Sequence, residues 1–272
     1  MKIELPRLRS CPTDSAAVVD TSIAGEIIRV VVGGIPDLQA QNAADALQEL
    51  RTRHDAFRRF IVDPPRGHAD VNAVLLLPAR SPEATRSIVV ASQFGYVPLA
   101  GTPLIAAAVV SVELEYVAAE SPLTPVVFDT ALGPMDTQAL VENDRCHAGR
   151  WLTDTPTIGF IDEALPVGKG APISVSLVVA GLPYIVAQIS ELGVTFEDIA
   201  ALGEAGRNIS NAAGNAFPMQ QFDIQNRCEA YPVLVVGEAE PFGDNEARLP
   251  MAWIYPDGRV AKMPAGTGAL AA

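Results

Sequence analysis

The sequence predicts an α+β protein made of two similar halves, and three observations support this prediction. Strand-like runs flank helical segments in both halves, without the regular strand–helix–strand alternation of a doubly wound parallel sheet. The length of 272 residues fits one large domain or two of ordinary size. The short sequence Ala-Gly-Thr occurs at residues 100–102 and again at residues 265–267. We therefore expect a duplicated architecture, with domains at residues 1–120 and 121–272.

The first half begins with strand-like and helical patterns. The β-branched run at residues 29–32 predicts a strand that ends at the Gly33-Gly34 turn. Apolar residues at spacings of three and four predict a helix over residues 37–61, which Pro64 and Pro65 terminate. Two further strands are predicted at residues 73–77 and 87–91.

The stretch at residues 120–125 contains two prolines and is the best candidate for a linker between the halves. Beyond it, Thr195 is followed three positions later by an acid, which resembles a capping box and predicts a helix to about residue 212. The inward face of this helix is predicted to hold Ile199, Leu202, Ala205 and Ile209. Strands are predicted at residues 173–179, 184–187, 232–236 and 251–255.

The composition excludes several classes of protein. Apolar residues make up 49% of the chain, which excludes a disordered or fibrous protein. The formal net charge of −13 argues against nucleic acid or an anionic membrane surface as a partner. The uncharged runs at residues 87–112 and 170–190 are predicted to be core rather than membrane spans, because turn residues interrupt the first of them.

The cysteines predict neither a disulfide framework nor a metal site. There are three, Cys11, Cys146 and Cys228, and none of them has the spacing of a metal-binding motif. The N-terminal residues lack the apolar run of a signal peptide, so a reducing cytoplasmic location is expected. The sequence indicates no metal and no cofactor.

The repeated Ala-Gly-Thr turns are the sharpest candidate site. In each copy, strand-like residues precede the turn and small helix-forming residues follow it. Backbone N–H groups at a helix N-terminus can bind an anion, so Gly101, Thr102, Gly266 and Thr267 are predicted to bind a carboxylate. The alternative is that the turns serve only the fold.

Longer segments resemble the proline racemase family. DTSIAGEIIRVVVGGIP at residues 20–36 is similar to the family's opening motif, Asp-Thr-His-Thr-x-Gly-Glu-x-x-Arg-Val-Val. RTRHDAFRRFIVDPPRGHADVNAVLLLPA at residues 51–79 is similar to the family's His-Asp…Arg-Arg helix and Pro-Arg-Gly-His loop. SELGVTFEDIAALGEAGRNI and YPDGRVAKMPAGTG follow in the same order as in the family, so the resemblance extends from about residue 19 onward.

The resemblance implies a fold, a chemistry and a partner. Members are cofactor-independent racemases, epimerases and dehydratases of proline and hydroxyprolines, and none of these uses pyridoxal phosphate. The implied fold is like that of diaminopimelate epimerase, with two similar domains that each curl a sheet round a central helix. One cysteine from each domain acts on the substrate α-carbon in the cleft between them. The expected partner is a small amino- or imino-acid carboxylate. A homodimer is one assembly that the resemblance allows.

The chain departs from the family pattern where the chemistry is expected. Ala100 and Ala265 stand where the resemblance places the two catalytic cysteines, so no catalytic residue is intact. Thr102 replaces the motif histidine, and Ala261 replaces an acidic residue expected near the substrate amine. Alanine neither accepts nor donates a proton, and the two-thiol mechanism therefore cannot operate. The alternative is that His68 and Asp70, in the Pro-Arg-Gly-His loop, face the cleft as a replacement base.

The resemblance also makes the second domain look truncated. In the family, the second turn opens the central helix of that domain, and further strands follow it, whereas this sequence ends at Ala272. Either the chain is incomplete, or another chain fills the gap, or the architecture is altered. Three functions stay open at this point: an isomerase or lyase with replacement groups, a non-catalytic binder of pyrrolidine carboxylates, and an inactive fragment.

Overall fold

The computed structural model describes residues 15–23, 25–143, 145–151, 156–225, 228–242, 246–261 and 266–272. The chain divides into two compact units, Met1–Thr153 and Asp154–Ala272. Each unit combines one main sheet with helices, which confirms the predicted α+β class. None of the helices in the described ranges is long and apolar enough to cross a membrane.

The first unit contains a sheet of eight strands. They are β1 (Ala17–Ile23), β2 (Glu26–Gly33), β3 (Val71–Pro78), β4 (Arg86–Ser92), β5 (Gly95–Val97), β6 (Leu123–Thr130), β7 (Gly133–Glu142) and β8 (Arg145–Trp151). Their order is β1-β2-β3-β4-β6-β7-β8, with β5 paired to β4. The β2–β3 and β4–β6 pairs are parallel, and the other pairs are antiparallel.

Three helices cover the two faces of this sheet. Helices α1 (Ala43–Arg53) and α2 (Asp55–Val62) lie between β2 and β3 in the chain and pack on one face, while α3 (Gly101–Glu113) packs on the other. Helix α3 contacts both β1 and β8, which stand at opposite ends of the strand order, so the sheet curls round it. Nine of its 13 residues are buried, as expected for a helix that is apolar on all sides.

The predicted helix over residues 37–61 is two shorter helices. The Asn42 side chain accepts a hydrogen bond from the Asp45 N–H at 2.8 Å and sets the start of α1 six residues later than predicted. The backbone of His54, at φ −128°, separates α1 from α2. Periodicity identified the apolar side correctly, but it did not detect the cap or the break.

The boundary between the units lies between Thr153 and Asp154, rather than between residues 120 and 121 as the prolines had suggested. Strands β6, β7 and β8 all follow residue 120, and they extend the first sheet through pairing of β6 with β4. Pro125 lies within β6 and is exposed. Proline is tolerated in a strand where its missing N–H is not needed, so two prolines did not make this stretch a linker.

Asp129 on β6 fastens this extension to the first part of the sheet. Its carboxylate accepts hydrogen bonds from the Ser81 and Ser87 hydroxyls, and from the backbone N–H groups of Arg80 and Ser81. Burial opposes ionisation of Asp129, but these four hydrogen bonds outweigh it and lower the pKa of the carboxyl.

Replacing Asp129 by Asn should destabilise the protein by about 1–3 kcal/mol at pH 7, because the four donors would then face an amide whose NH₂ group accepts no hydrogen bond. The folded pKa of Asp129 lies below its unfolded value, so its stabilisation is present at neutral pH and is lost as pH falls through the folded pKa. Urea unfolding at pH 7 and at about pH 3 should therefore show a smaller acid-dependent loss for Asp129→Asn than for wild type. Asp136→Asn, an exposed change on β7, is the matched control. Equal acid-dependent losses in wild type and Asp129→Asn would contradict this account.

The second unit has a sheet of five strands and a two-stranded ribbon. The sheet strands are β9 (Thr157–Leu165), β10 (Ile173–Ala180), β11 (Leu182–Gln188), β12 (Val233–Val236) and β15 (Met251–Ile254), in the order β15-β12-β11-β10-β9. The ribbon pairs β13 (Glu240–Pro241) with β14 (Ala247–Arg248). Strands β11 and β12 are parallel, and the other pairs are antiparallel.

Helix α4 (Ile199–Ala216) packs on one face of the second sheet, and α5 (Gly266–Ala271) packs on the other. The N-cap of α4 is Asp198, whose side chain accepts a hydrogen bond from the Ala201 N–H at 3.0 Å, so the predicted cap at Thr195 is wrong. Leu202 and Ile209 are buried as predicted. Ile199 is 56% exposed, because it occupies the first turn rather than the middle of the helix.

The two units repeat one topology. In the first unit, antiparallel strands β1 and β2 are followed by a helical crossover to parallel β3, then by antiparallel β4 and helix α3. The second unit repeats this order with β10, β11, α4, β12, β15 and α5. In both units the crossover helices and the later helix lie on opposite faces of the sheet. The prediction of two similar domains is confirmed, and the Gly-Thr pair of each Ala-Gly-Thr copy begins the later helix.

Candidate active site

The N-terminus of α3 carries the first Ala-Gly-Thr copy. Ala100 is the N-cap residue, with an extended backbone at φ −149° and ψ 140°, and its carbonyl accepts a hydrogen bond from the Leu104 N–H at 3.2 Å. Its methyl side chain cannot cap the helix, and no side-chain cap is present. Helix geometry leaves the first N–H groups without an intrahelical acceptor, and Pro103, as a proline, has no N–H group. The donors at this end are therefore the N–H groups of Gly101 and Thr102.

The Trp151 indole at the end of β8 lies against the start of this helix. A Cβ atom added to Gly101 would lie 3.3 Å from Trp151 Nε1 and 3.5 Å from Cε2. The first of these distances is shorter than most side-chain contacts, so glycine at residue 101 allows the indole to approach the helix backbone. Trp151 is partly buried and lies against Gly101.

Three side chains from three elements meet at the Thr102 hydroxyl. Thr102 Oγ1 donates a hydrogen bond to Glu26 Oε2 at 2.7 Å. Asn72 Nδ2 donates to the other carboxylate oxygen, Glu26 Oε1, at 2.6 Å. Glu26 begins β2 and Asn72 is the second residue of β3, and the parallel register of these strands pairs Ile27 with Val71. The three side chains are partly buried.

Sequence reasoning identified Gly101 and Thr102 but missed Glu26, Asn72 and Trp151. Glu26 lies in the segment at residues 20–36, and Asn72 lies in the segment at residues 51–79, so both fall inside the blocks quoted for the family resemblance. Only the pairing of β2 with β3 shows that they share one location. No sequence signal pointed to Trp151.

The second Ala-Gly-Thr copy is described in part. Gly266 begins α5 and Thr267 is its second residue, whereas Ala265 lies outside the described residues. Ala261 continues from the hairpin after β15, and its N–H donates to the Trp253 carbonyl at 2.8 Å. The binding role predicted for Gly266 and Thr267 stays a prediction.

The other candidate groups are an exposed histidine–aspartate pair and two cysteine thiols. His68 and Asp70 are both exposed in the loop before β3, where the Asp70 N–H lies 3.3 Å from His68 Nδ1. Burial, and after it the Glu113 carboxylate, raises the pKa of Cys146 to about 11. Burial raises the pKa of Cys228 to about 12. Both thiols are therefore protonated at neutral pH, when a thiolate would be needed for reactivity.

Comparison with known proteins gives a consistent family. The family model described as proline racemase matches residues 18–272. Proline racemase from Acetoanaerobium sticklandii is 26% identical over 254 residues, which cover 92% of this chain and 75% of the relative. 4-Hydroxyproline 2-epimerase 1 from Rhizobium rhizogenes is 30% identical over 215 residues, which cover 76% of this chain and 61% of the relative. Trans-3-hydroxy-L-proline dehydratase from Burkholderia cenocepacia is 26% identical over 268 residues, which cover 93% of this chain and 76% of the relative.

Solved structures share the fold. A probable proline racemase from Agrobacterium radiobacter K84, with bound carbonate, has a TM-score of 0.81 at 24% identity and covers 93% of this chain and 74% of its own. A hydroxyproline epimerase from Agrobacterium vitis, with bound trans-4-hydroxy-L-proline, has a TM-score of 0.81 at 23% identity. The match covers 94% of this chain and 75% of the epimerase chain. The duplicated topology, the position of the two turns and the match over residues 18–272 lead to one conclusion. The chain belongs to the proline racemase family.

Proposed function

We propose that the protein binds a small α-amino or α-imino acid of the pyrrolidine-2-carboxylate class through its carboxylate, at the N-terminus of α3. The observation that carries this proposal is the helix start without a side-chain cap, where Gly101 and Thr102 supply backbone N–H donors and Ala100 has no side-chain oxygen to compete for them. The helix dipole favours a negative charge at this end. The relatives are named for proline and hydroxyprolines, and these names support the choice of ligand class.

The proposal does not include racemisation by two thiols. Ala100 at the N-cap of α3 has no group that can take or give a proton, and the second copy also has alanine, at residue 265. Proton transfer at an α-carbon needs a positioned acid or base, which contributes about 10²–10⁴-fold in rate. Binding through backbone groups needs neither cysteine. A binding role therefore accounts for the site better than the usual chemistry of the family.

Two substitutions at one residue isolate the backbone donor. Gly101→Pro removes the N–H at the first helical position, where proline is well tolerated, and the extended backbone of Ala100 suits a residue before proline. Gly101→Ala adds a Cβ against Trp151 but keeps the N–H. Isothermal titration with L-proline and trans-4-hydroxy-L-proline should show binding weakened by about 10–100-fold in Gly101→Pro, the cost of one hydrogen bond to a charged acceptor. Gly101→Ala should lose much less.

A steric control uses a glycine with equal crowding elsewhere in the first unit. A Cβ atom on Gly33, at the far end of β2 from Glu26, would lie 3.3 Å from the Ala17 Cβ. Gly33→Ala should therefore leave the affinity unchanged. Wild type that binds none of these ligands, or equal affinities for Gly101→Pro and Gly101→Ala, would overturn the proposed function.

A further inference from the structure

The contacts of Thr102 form a recognisable chemical arrangement. An activated hydroxyl is marked by a hydrogen bond of about 2.6–3.2 Å to a base, which is in turn oriented by a third group. Thr102 Oγ1 lies 2.7 Å from Glu26 Oε2, and Asn72 Nδ2 holds Glu26 Oε1 at 2.6 Å. The three side chains come from α3, β2 and β3. In the sequence, Glu26 is 76 residues from Thr102 and 46 residues from Asn72, so only the fold brings them together.

We infer that Thr102 and Glu26 form a proton relay, oriented by Asn72, that exchanges the α-proton of the bound amino acid. The inference rests on the proposed function, because the carboxylate must lie at the start of α3 for its α-carbon to approach Thr102. It supplies a replacement for the missing thiol within the first unit alone.

The direction of the hydrogen bonds fixes the roles. Glu26 accepts through one carboxylate oxygen from Thr102 and through the other from Asn72. The threonine proton points at Glu26, which leaves the lone pairs of Oγ1 available to a second partner. Partial burial strengthens such a chain, since less water competes for its members.

The proton transfer balances without any outside reagent. Thr102 Oγ1 takes the α-proton while its own proton passes to Glu26 Oε2, and the electron pair of the broken C–H bond remains on the substrate as an enediolate. The N–H groups of Gly101 and Thr102 face the carboxylate on which this charge develops. The return transfer delivers a proton to the α-carbon and restores the Glu26 carboxylate. In D₂O the relay carries deuterium, so the α-position becomes labelled.

A single relay predicts exchange without inversion. Racemisation needs a proton to leave from one face of the α-carbon and to return to the other. The relay belongs to α3 only, and the second Ala-Gly-Thr copy provides alanine rather than a proton carrier at residue 265. The product of exchange should therefore keep the configuration of the starting amino acid.

Proton NMR in D₂O tests the relay with L-proline and trans-4-hydroxy-L-proline. Wild type should remove the α-proton signal, while chiral chromatography should detect no enantiomer or epimer. Glu26→Gln and Thr102→Val should slow the exchange by at least about 10²-fold, and Thr102→Ser should stay within about tenfold of wild type. Isothermal titration should give Glu26→Gln an affinity within a few-fold of wild type, because the backbone donors are retained.

The control is Thr21→Val on β1, whose hydroxyl donates to the Ile28 carbonyl in the same unit and should not affect exchange. Binding by wild type without exchange would overturn the relay and leave the proposed function standing. Equal exchange rates in wild type, Glu26→Gln and Thr102→Val would also overturn it, as would inversion. Absence of binding would instead overturn the proposed function. If Glu26→Gln does not fold, the difference between Thr102→Val and Thr102→Ser decides.

Discussion

The Ala100→Cys variant should carry a thiol that reacts with iodoacetamide at pH 7 about 10³–10⁴ times faster than Cys146 and about 10⁴–10⁵ times faster than Cys228. Ala100 is the N-cap of a 13-residue helix, and thiols at helix N-termini have pKa values of about 3.5–7.5. The pKa of Cys146 is raised to about 11 and that of Cys228 to about 12, which leaves little thiolate at neutral pH. The difference in thiolate fraction sets the expected ratio of rates.

Peptide mapping by mass spectrometry, after short exposures to the reagent, would locate the modified residue. Wild type treated in parallel gives the background at Cys146 and Cys228. The control is Ala108→Cys, at a buried position in the same helix far from its N-terminus. Its thiol should react slowly. If the introduced thiol at residue 100 reacted no faster than the one at residue 108, α3 would not polarise its N-terminus enough to bind an anion.

Replacing Gly203 by alanine should destabilise the protein by about 3 kcal/mol, because the added Cβ would overlap the carbonyl oxygen of Gly258. Gly258 lies in the hairpin after β15 and has φ +91°, a conformation that alanine rarely adopts. Its carbonyl belongs to the backbone, so the contact cannot be relieved by rotating a side chain. The two glycines allow α4 to lie directly on this hairpin.

Gly214→Ala is the matched control, because Gly214 lies in the same helix and a Cβ there would meet nothing within 4 Å. It should stabilise the protein by about 0.5–1 kcal/mol through helix propensity alone. Urea unfolding, followed by circular dichroism, measures both changes. Equal free energies of unfolding for the two variants would show that α4 does not approach the hairpin as described.

Much of the fold could be predicted from local patterns. Apolar spacing found the helical regions, and β-branched runs found several of the strands. The limits of the helices were harder, since Asn42 and Asp198 each compete with other residues that can cap a helix, and only the folded backbone selects one. The domain boundary was misplaced because prolines mark linkers and tolerant strand positions equally.

The candidate site divides in the same way. Gly101 and Thr102 were found because they are adjacent in sequence and repeated. Glu26 and Asn72 could not be connected with them, because the contacts join residues far apart in the chain through strand pairing. Periodicity reports which side of a strand is buried, but it carries no information about which strand lies beside it.

The parallel pairing of β2 with β3 makes the chemistry and the core depend on one choice of register. Glu26 shares a strand face with Ile28 and Val30, and these pack in the α3 core, as do Val74 and Leu76, which share a face with Asn72. A slip of one residue in β3 would turn Asn72 away from Glu26 and, in the same movement, turn Val74 and Leu76 away from α3. The free energy that buries the apolar residues thus also enforces the alignment of the polar ones. A molecule in which Glu26 and Asn72 were misaligned would also lose apolar contacts in the α3 core. The folding equilibrium therefore disfavours that misalignment.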